Sequence, residues 1–235
     1  MVHTEKSDYI KENTVSAKNQ VKADENVFYL GKREAKKRVV ILGNSITKHG
    51  VCPGIGWYGS HGMAASCEEK DYVHVLYDLF TQEGLDCCMM INQVAEWERN
   101  FEKFDLKVFD RIRDFGADMI IFRCGENIVG LEKEEPLIKS TKKMIEYIRG
   151  KNSSVIFTTC FWENRVEDEA IRFLAKVYGR NAVELGDLGC DDAMKAKGLF
   201  EHSGVAAHPN DAGMKVIAER IFHEVKELLK STEDR

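Results

Sequence analysis

The sequence predicts an α/β protein built on a parallel sheet with helices packed on both faces. Strand-like and helix-like runs alternate from residue 39 onward. Most of the strands, 39–42 among them, are continuous apolar runs rather than alternating ones, the pattern of strands buried on both faces. A polar or aromatic cluster then follows each strand, where an open parallel sheet keeps its ligands.

Residues 1–36 are polar, with Lys and Glu scattered, and only Asn26-Val27-Phe28-Tyr29-Leu30 reads as extended. They are expected to form a partly ordered arm ending in one edge strand. The tail of an upstream domain or an arm swapped between two copies are the alternatives. The first core strand, 39–42, stops at Gly43-Asn44, with Ser45 next. That is either a turn capped by Asn44 and Ser45 or the start of a site. The loop over 48–66 holds Gly50, Gly54, Gly56, Gly59 and Gly62 together with His49, Trp57, Tyr58 and His61. A loop so long and glycine-rich usually carries function. Val73, Leu76, Tyr77 and Phe80 at helical spacing predict a helix over 64–80, ended by Gly84. A second strand over 86–91 follows, then a helix marked by Leu106, Phe109, Ile112 and Phe115 and closed by Gly116. A third strand, 117–122, runs into Arg123-Cys124-Gly125-Glu126-Asn127. Next come an amphipathic helix over 136–148, a strand over 154–159, a helix over 169–178 and a short fifth strand over 181–185. A loop carrying His208 leads to a last helix with Met214, Ile217, Ile221, Val225 and Leu228 on one face.

A length of 235 residues fits one domain of 37–235 behind the arm, and 43% hydrophobic with 31% charged residues is a globular composition. No apolar run nears the roughly 20 residues that cross a bilayer, and residues 1–21 lack the apolar core of a secretory signal, so no membrane partner is expected. Of seven Cys, Cys87, Cys88, Cys124 and Cys160 lie in apolar runs and read as reduced thiols of a cytoplasmic protein. No Cys-x-x-Cys pair or His-rich cluster points to a metal. A net charge of -5 without a basic stripe argues against nucleic acid.

In a parallel sheet the clusters after each strand share one edge, so Ser45 and His208 can meet across the sequence. Serine becomes a nucleophile when a base takes its proton, and histidine suits that task. The Asn127 amide and the backbone N–H of Ser45 can then hold an oxyanion.

These residues resemble the SGNH (GDSL-like) hydrolases. Gly43-Asn44-Ser45-Ile46-Thr47 is similar to that family's first block, usually Gly-Asp-Ser. Gly125-Glu126-Asn127 is similar to its Gly-x-Asn block, and His208-Pro209-Asn210-Asp211-Ala212-Gly213 to its last, Asp-x-x-His-Pro-Asn-x-x-Gly. The resemblance spans about residues 38–230. It implies a flavodoxin-like, three-layer α/β/α fold with a five-stranded parallel sheet and a serine esterase mechanism without cofactor or metal. Ser45 is then the nucleophile, His208 the base and Asn127 an oxyanion-hole side chain. The Gly-x-Ser-x-Gly elbow of the α/β-hydrolases is absent, since Thr47 replaces its second Gly.

The sequence departs from that pattern at three places. Asn44 replaces Asp, a mild change for a turn. The oxyanion glycine of the second block has no counterpart, and the region holds Ala95, Glu96 and Trp97, any of which offers a backbone N–H. Val205 stands where the triad Asp belongs, which leaves the His208 ring without its usual orienter. Three answers compete: a backbone carbonyl such as that of Val205, a carboxylate from Glu201, Asp191 or Asp192, or an inactive site. Asn44, Glu126, Trp57, Trp97 and Trp162 are candidates to wall a substrate pocket; Glu126 and Glu163 read as solvated loop carboxylates rather than a catalytic pair. His49 and His61 are fallback bases. The expected activity is hydrolysis of a short acyl ester, such as a carbohydrate O-acetyl ester. The alternative is a catalytically silent ligand- or carbohydrate-binding module. Homo-oligomerisation stays open.

Overall fold

A computed structural model of the chain describes Gln20 and residues 26–233, with side chains as far as residue 226. Most of the arm expected over 1–36 therefore lies outside the described residues. Five strands form one sheet: β1 (Val27–Leu30), β2 (Lys37–Gly43), β3 (Cys87–Gln93), β4 (Met119–Arg123) and β5 (Ser154–Phe157), in the order β1-β3-β2-β4-β5. β2 is central and pairs in parallel with β3 and β4, and β4 pairs in parallel with β5.

Alternation along β2 divides the interior into two cores. Val39 and Ile41 face one side, where α1 (Tyr72–Gln82) and the last helix, α8 (Asp211–Glu233), supply Leu76, Phe80, Ile217 and Ile221. Val40 and Leu42 face the other, against α3 (Asp110–Phe115), α4 (Glu135–Ile148) and α5 (Arg165–Val177), which supply Ile112, Ile145 and Leu174. The helices cover both faces because each strand is apolar on both. Between β3 and α3 lies the short α2 (Ala95–Asn100), and α6 (Gly186–Cys190) and α7 (Ser203–Ala206) sit in the long segment before α8.

Four expectations are corrected here. The sheet has five strands, but they are not all parallel: β1 pairs antiparallel with β3. Only residues 31–36 separate β1 from β2. A parallel crossover needs a dozen or more residues, so the chain reverses direction instead. The strand expected over 181–185 is reduced to one parallel bridge, Thr158 to Val183, before the chain turns into α6. The helix expected from residue 64 starts at Tyr72. Ala64 takes a left-handed φ of 73°, and Asp71 caps the helix by accepting from His74 N at 3.0 Å. The helix expected at 106–115 is a 3₁₀ turn, Leu106–Phe109, followed by α3.

The register sets up the site. Gly43 at the end of β2 lies opposite Gln93 of β3 and Arg123 of β4. The segments following these three strands therefore emerge side by side. Among the described residues no helix is long and apolar enough to cross a membrane.

Candidate active site

Ser45 stands two residues beyond β2, in a tight turn. Thr47 N and Lys48 N both donate to Asn44 O at 2.9 Å, and Ile46 N donates to Asn44 Oδ1 at 3.3 Å. Gly43 is required there, because a Cβ would overlap the Thr47 side chain, whose hydroxyl bonds Tyr72 OH at 2.7 Å.

The sequence places Ser45 and His208 far apart, and the fold brings them into contact: Ser45 Oγ lies 2.8 Å from His208 Nε2. On the other side of the ring, Nδ1 lies 2.6 Å from Gly204 O. A carbonyl only accepts, so Nδ1 carries the hydrogen and Nε2 presents its lone pair to the serine hydroxyl. Burial pushes the His208 pKa down to about 3, an effect that the Gly204 bond opposes and that nearby His49 and Arg123 reinforce. The base is therefore neutral at ordinary pH.

The orienter differs from the residues expected. It is the Gly204 carbonyl, one residue before the position considered, while Val205 O accepts His208 N at 3.0 Å. The Val205 side chain, where the resemblance would put Asp, is buried against Trp57, Met63, Ala64 and Ala196. Glu201 is exposed, Asp191 caps Ala193 N, and Asp192 pairs with Lys195 and Lys197. The last block anchors the loop. Asn210 Nδ2 donates to Ala193 O and Lys195 O, both at 2.8 Å, and Asp211 accepts from Ser66 N and Oγ at 2.8 and 2.7 Å.

Beside the nucleophile is a buried polar cluster; the sequence suggests Glu98 as a structural partner of Arg99 or Arg123, but not how it joins Asn44, Glu126 and Asn127. Asn44 donates through Nδ2 to Glu98 Oε1 at 3.0 Å and to Glu126 Oε2 at 2.6 Å. Its Oδ1 accepts from Arg123 Nη2 at 3.0 Å. Arg123 also pairs with Glu126 Oε1 at 2.7 Å, and Phe161 N donates to the same oxygen at 2.9 Å. Glu98 takes Gly125 N at 2.6 Å on Oε1 and Asn127 Nδ2 at 2.7 Å on Oε2. Asn127 Oδ1 in turn accepts from Arg99 Nη2 at 3.1 Å. Gly125 has φ +141°, and a Cβ there would sit 2.5 Å from Cys160 Sγ, so the position demands glycine. Burial and the neighbouring Glu126 push Glu98 above the usual carboxyl range. Burial acts on Glu126 as well, but the Arg123 guanidinium and the Phe161 and Asn44 N–H donors outweigh it and hold that carboxyl low.

Several expected pocket residues prove structural. Asn44 and Glu126 are buried inside this cluster, so Glu126 is not a solvated loop carboxylate. Trp97 is fully buried and packs edge-on against Phe122 in the core. Trp57 is buried with Phe200 and His61 and donates to His49 O at 3.2 Å. Only Trp162 borders the dyad, its ring 5.0 Å from that of His208 in an edge-on arrangement. His61 bonds Ala65 O and His49 bonds Gly50 O, and the Ser45 hydroxyl pairs with neither.

At the start of α2, Trp97 N is tied to Val94 O at 2.9 Å and Ala95 N to Gln93 Oε1 at 3.2 Å. Trp97 therefore offers no free backbone donor, contrary to expectation. Among the described residues, Glu96 N and Ser45 N make no hydrogen bond.

The sequence matches no known family model and no curated protein. Solved structures do match. A psychrotrophic esterase, EstA from Pseudoalteromonas sp., aligns with a TM-score of 0.52 at 13% identity over 83% of this chain and 100% of its own. A two-domain esterase active on acetylated mannans aligns at 0.55 and 15% identity over 88% of this chain and 56% of that one. The chain shares its fold with these esterases. A family 3 carbohydrate esterase from Talaromyces cellulolyticus also aligns, at 0.50 and 17% identity over 83% of this chain and 99% of its own. In this chain the Ser–His contact stands just beyond β2, and a backbone carbonyl meets the other ring nitrogen of His208.

Proposed function

We infer that the protein is a serine-dependent ester hydrolase acting on short acyl esters, with carbohydrate O-acetyl esters as the preferred class. The observation that carries this reading is the 2.8 Å contact from Ser45 Oγ to His208 Nε2, with the ring held in the reactive tautomer by Gly204 O. His208 takes the Ser45 proton as Oγ attacks the ester carbonyl. Negative charge on the carbonyl oxygen is met by Ser45 N, Glu96 N and Asn127 Nδ2. His208 then gives its proton to the leaving alcohol, and water attacks the acyl-enzyme with His208 again as base. The imidazolium formed in each step is stabilised by a carbonyl rather than a carboxylate.

Ser45 and His208 are only 4% and 3% exposed, and Trp162 abuts the ring, which supports a small acyl group. The carbohydrate preference draws on the fold neighbours, whose acetylated-mannan and carbohydrate-esterase descriptions belong to them. The missing carboxylate at position 205 favours a silent binding module, whereas the Gly204 carbonyl at His208 Nδ1 supports the hydrolase.

Hydrolysis of p-nitrophenyl acetate, butyrate and octanoate by the parent, Ser45→Ala, His208→Ala and Glu201→Ala tests the reading. Acetate is expected to be the best substrate. Ser45→Ala and His208→Ala are expected to lose at least about 10³-fold in kcat. Glu201→Ala is expected to stay within about two-fold, because its side chain is exposed. Turnover that survives Ser45→Ala contradicts the mechanism.

A further inference from the structure

Glu98 is buried, ionisable and outside the dyad. Every hydrogen bond that reaches its carboxylate comes from an N–H: Asn44 Nδ2, Gly125 N and Asn127 Nδ2. These donors favour the ionised, accepting form of the carboxylate, against burial and Glu126. One belongs to the residue before Ser45, one to the backbone of the Gly-x-Asn block, and one to the proposed oxyanion amide.

The grip on Asn127 has two sides. Glu98 takes its Nδ2 at 2.7 Å, and Arg99, the next residue on α2, gives Nη2 to its Oδ1 at 3.1 Å. A carboxylate only accepts and a guanidinium only donates. Turning the amide over would set N–H against N–H and oxygen against oxygen. An amide nitrogen has two N–H groups; Glu98 uses one, and the other is left for the substrate.

We propose that Glu98, with Arg99, is a positioning residue for the oxyanion hole, fixing which end of the Asn127 amide meets the developing oxyanion. The proposal rests on the esterase reading above. It gives α2 two tasks, since the helix offers the Glu96 N–H itself and aims the Asn127 N–H through Glu98. Glu126, Arg123, Arg99 and Cys124 are the ionisable groups around Glu98. Burial and Glu126 raise the Glu98 carboxyl, whereas His208 is pushed down to about 3. As pH falls, Glu98 therefore takes a proton before His208 does. The carboxyl then carries an O–H among N–H donors, and the hold on Asn127 fails. The acid limb of kcat belongs to Glu98: activity is full above its pKa and is lost as pH falls through it.

The test is p-nitrophenyl acetate hydrolysis by the full chain and by Glu98→Gln, Arg99→Met, Asn127→Ala and the two double variants with Asn127→Ala. Removing one oxyanion donor costs about 10²-fold or more in kcat, the loss expected for Asn127→Ala. Glu98→Gln keeps the shape but has one accepting oxygen. It is expected to lower kcat about 10- to 100-fold with KM within about two-fold, and to abolish the acid limb seen in the parent. Within the Asn127→Ala background the same change is expected to cost no more than about three-fold, because the group it positions is gone. Equal losses in both backgrounds, or an unchanged kcat, overturn the proposal. If Glu98→Gln does not fold, Arg99→Met carries the same comparison from the half-buried side, with the same two outcomes. A parent without Ser45-dependent turnover overturns the esterase reading and this proposal together. Normal parent turnover with additive losses overturns the positioning role alone.

Discussion

At position 44 the chain has Asn where the resembling family has Asp, and the reason lies in its two neighbours. Its Nδ2 supplies one hydrogen to Glu98 and one to Glu126. An aspartate would put a third carboxylate between two others and donate nothing. Asn44→Asp is therefore expected to leave buried charge uncompensated, at about 3 kcal/mol or more, and to lower Tm by on the order of 10 °C in a thermal melt. A melt within 2 °C of the parent would contradict this account of the cluster. Position 205 gives the converse case. Val205→Asp restores the family's residue type, yet the side chain would enter the apolar cluster of Trp57, Met63 and Ala196. The variant is expected to melt lower and to gain no activity, since Gly204 O already occupies His208 Nδ1. A rise in kcat would show that a carboxylate can reach the ring.

At the scale of elements, the site is a junction of segments held by a few ties. The loop bearing His208 is fastened by Asn210 to Ala193 and Lys195, and Asp211 at the start of α8 fastens the Ser66 end of the glycine-rich loop. Asp211→Ala removes that tie and a favourable charge from the first turn of the longest helix, α8. It is expected to cost about 1 kcal/mol, read as a shift of the denaturant midpoint without a change in slope, together with a several-fold fall in kcat. A variant that unfolds earlier but turns over normally would separate the loop anchor from catalysis. The parallel strands explain why these ties suffice. β2 is buried between β3 and β4, so the end of the strand at Gly43 is fixed on both sides.

Over the whole molecule, His208 links folding to pH. Its folded pKa is about 3, below the ordinary 6.5 of the unfolded chain. As pH falls below about 6.5, the unfolded state takes up this proton first, and stability declines until about pH 3. His208→Gln is expected to flatten the fall in Tm across that window; an identical fall in parent and variant would contradict the buried neutral ring. The apolar runs made the parallel core legible, and the three short blocks marked Ser45 after β2, Asn127 after β4 and His208 just before α8 as candidates. The cluster as a whole was not, because Glu98 finds Asn44, Gly125 and Asn127 across segments where spacing in one chain is silent, although the Arg123–Glu126 pair lies only three residues apart. One signal was present: Arg123 ends a fully buried strand, so its charge had to be met inside. The antiparallel edge was hidden for a similar reason, since only the short 31–36 connection distinguishes it from a parallel one.

The central claim is that Ser45 is a nucleophile made reactive by a carbonyl-oriented His208. Intact-mass analysis after treatment with an alkyl fluorophosphonate measures it most directly. One covalent adduct is expected on the parent, mapped to Ser45 by peptide sequencing, with none on Ser45→Ala and strongly slowed labelling on a folded His208→Ala. A folded parent that stays unlabelled, or an adduct mapped to another residue, would contradict it.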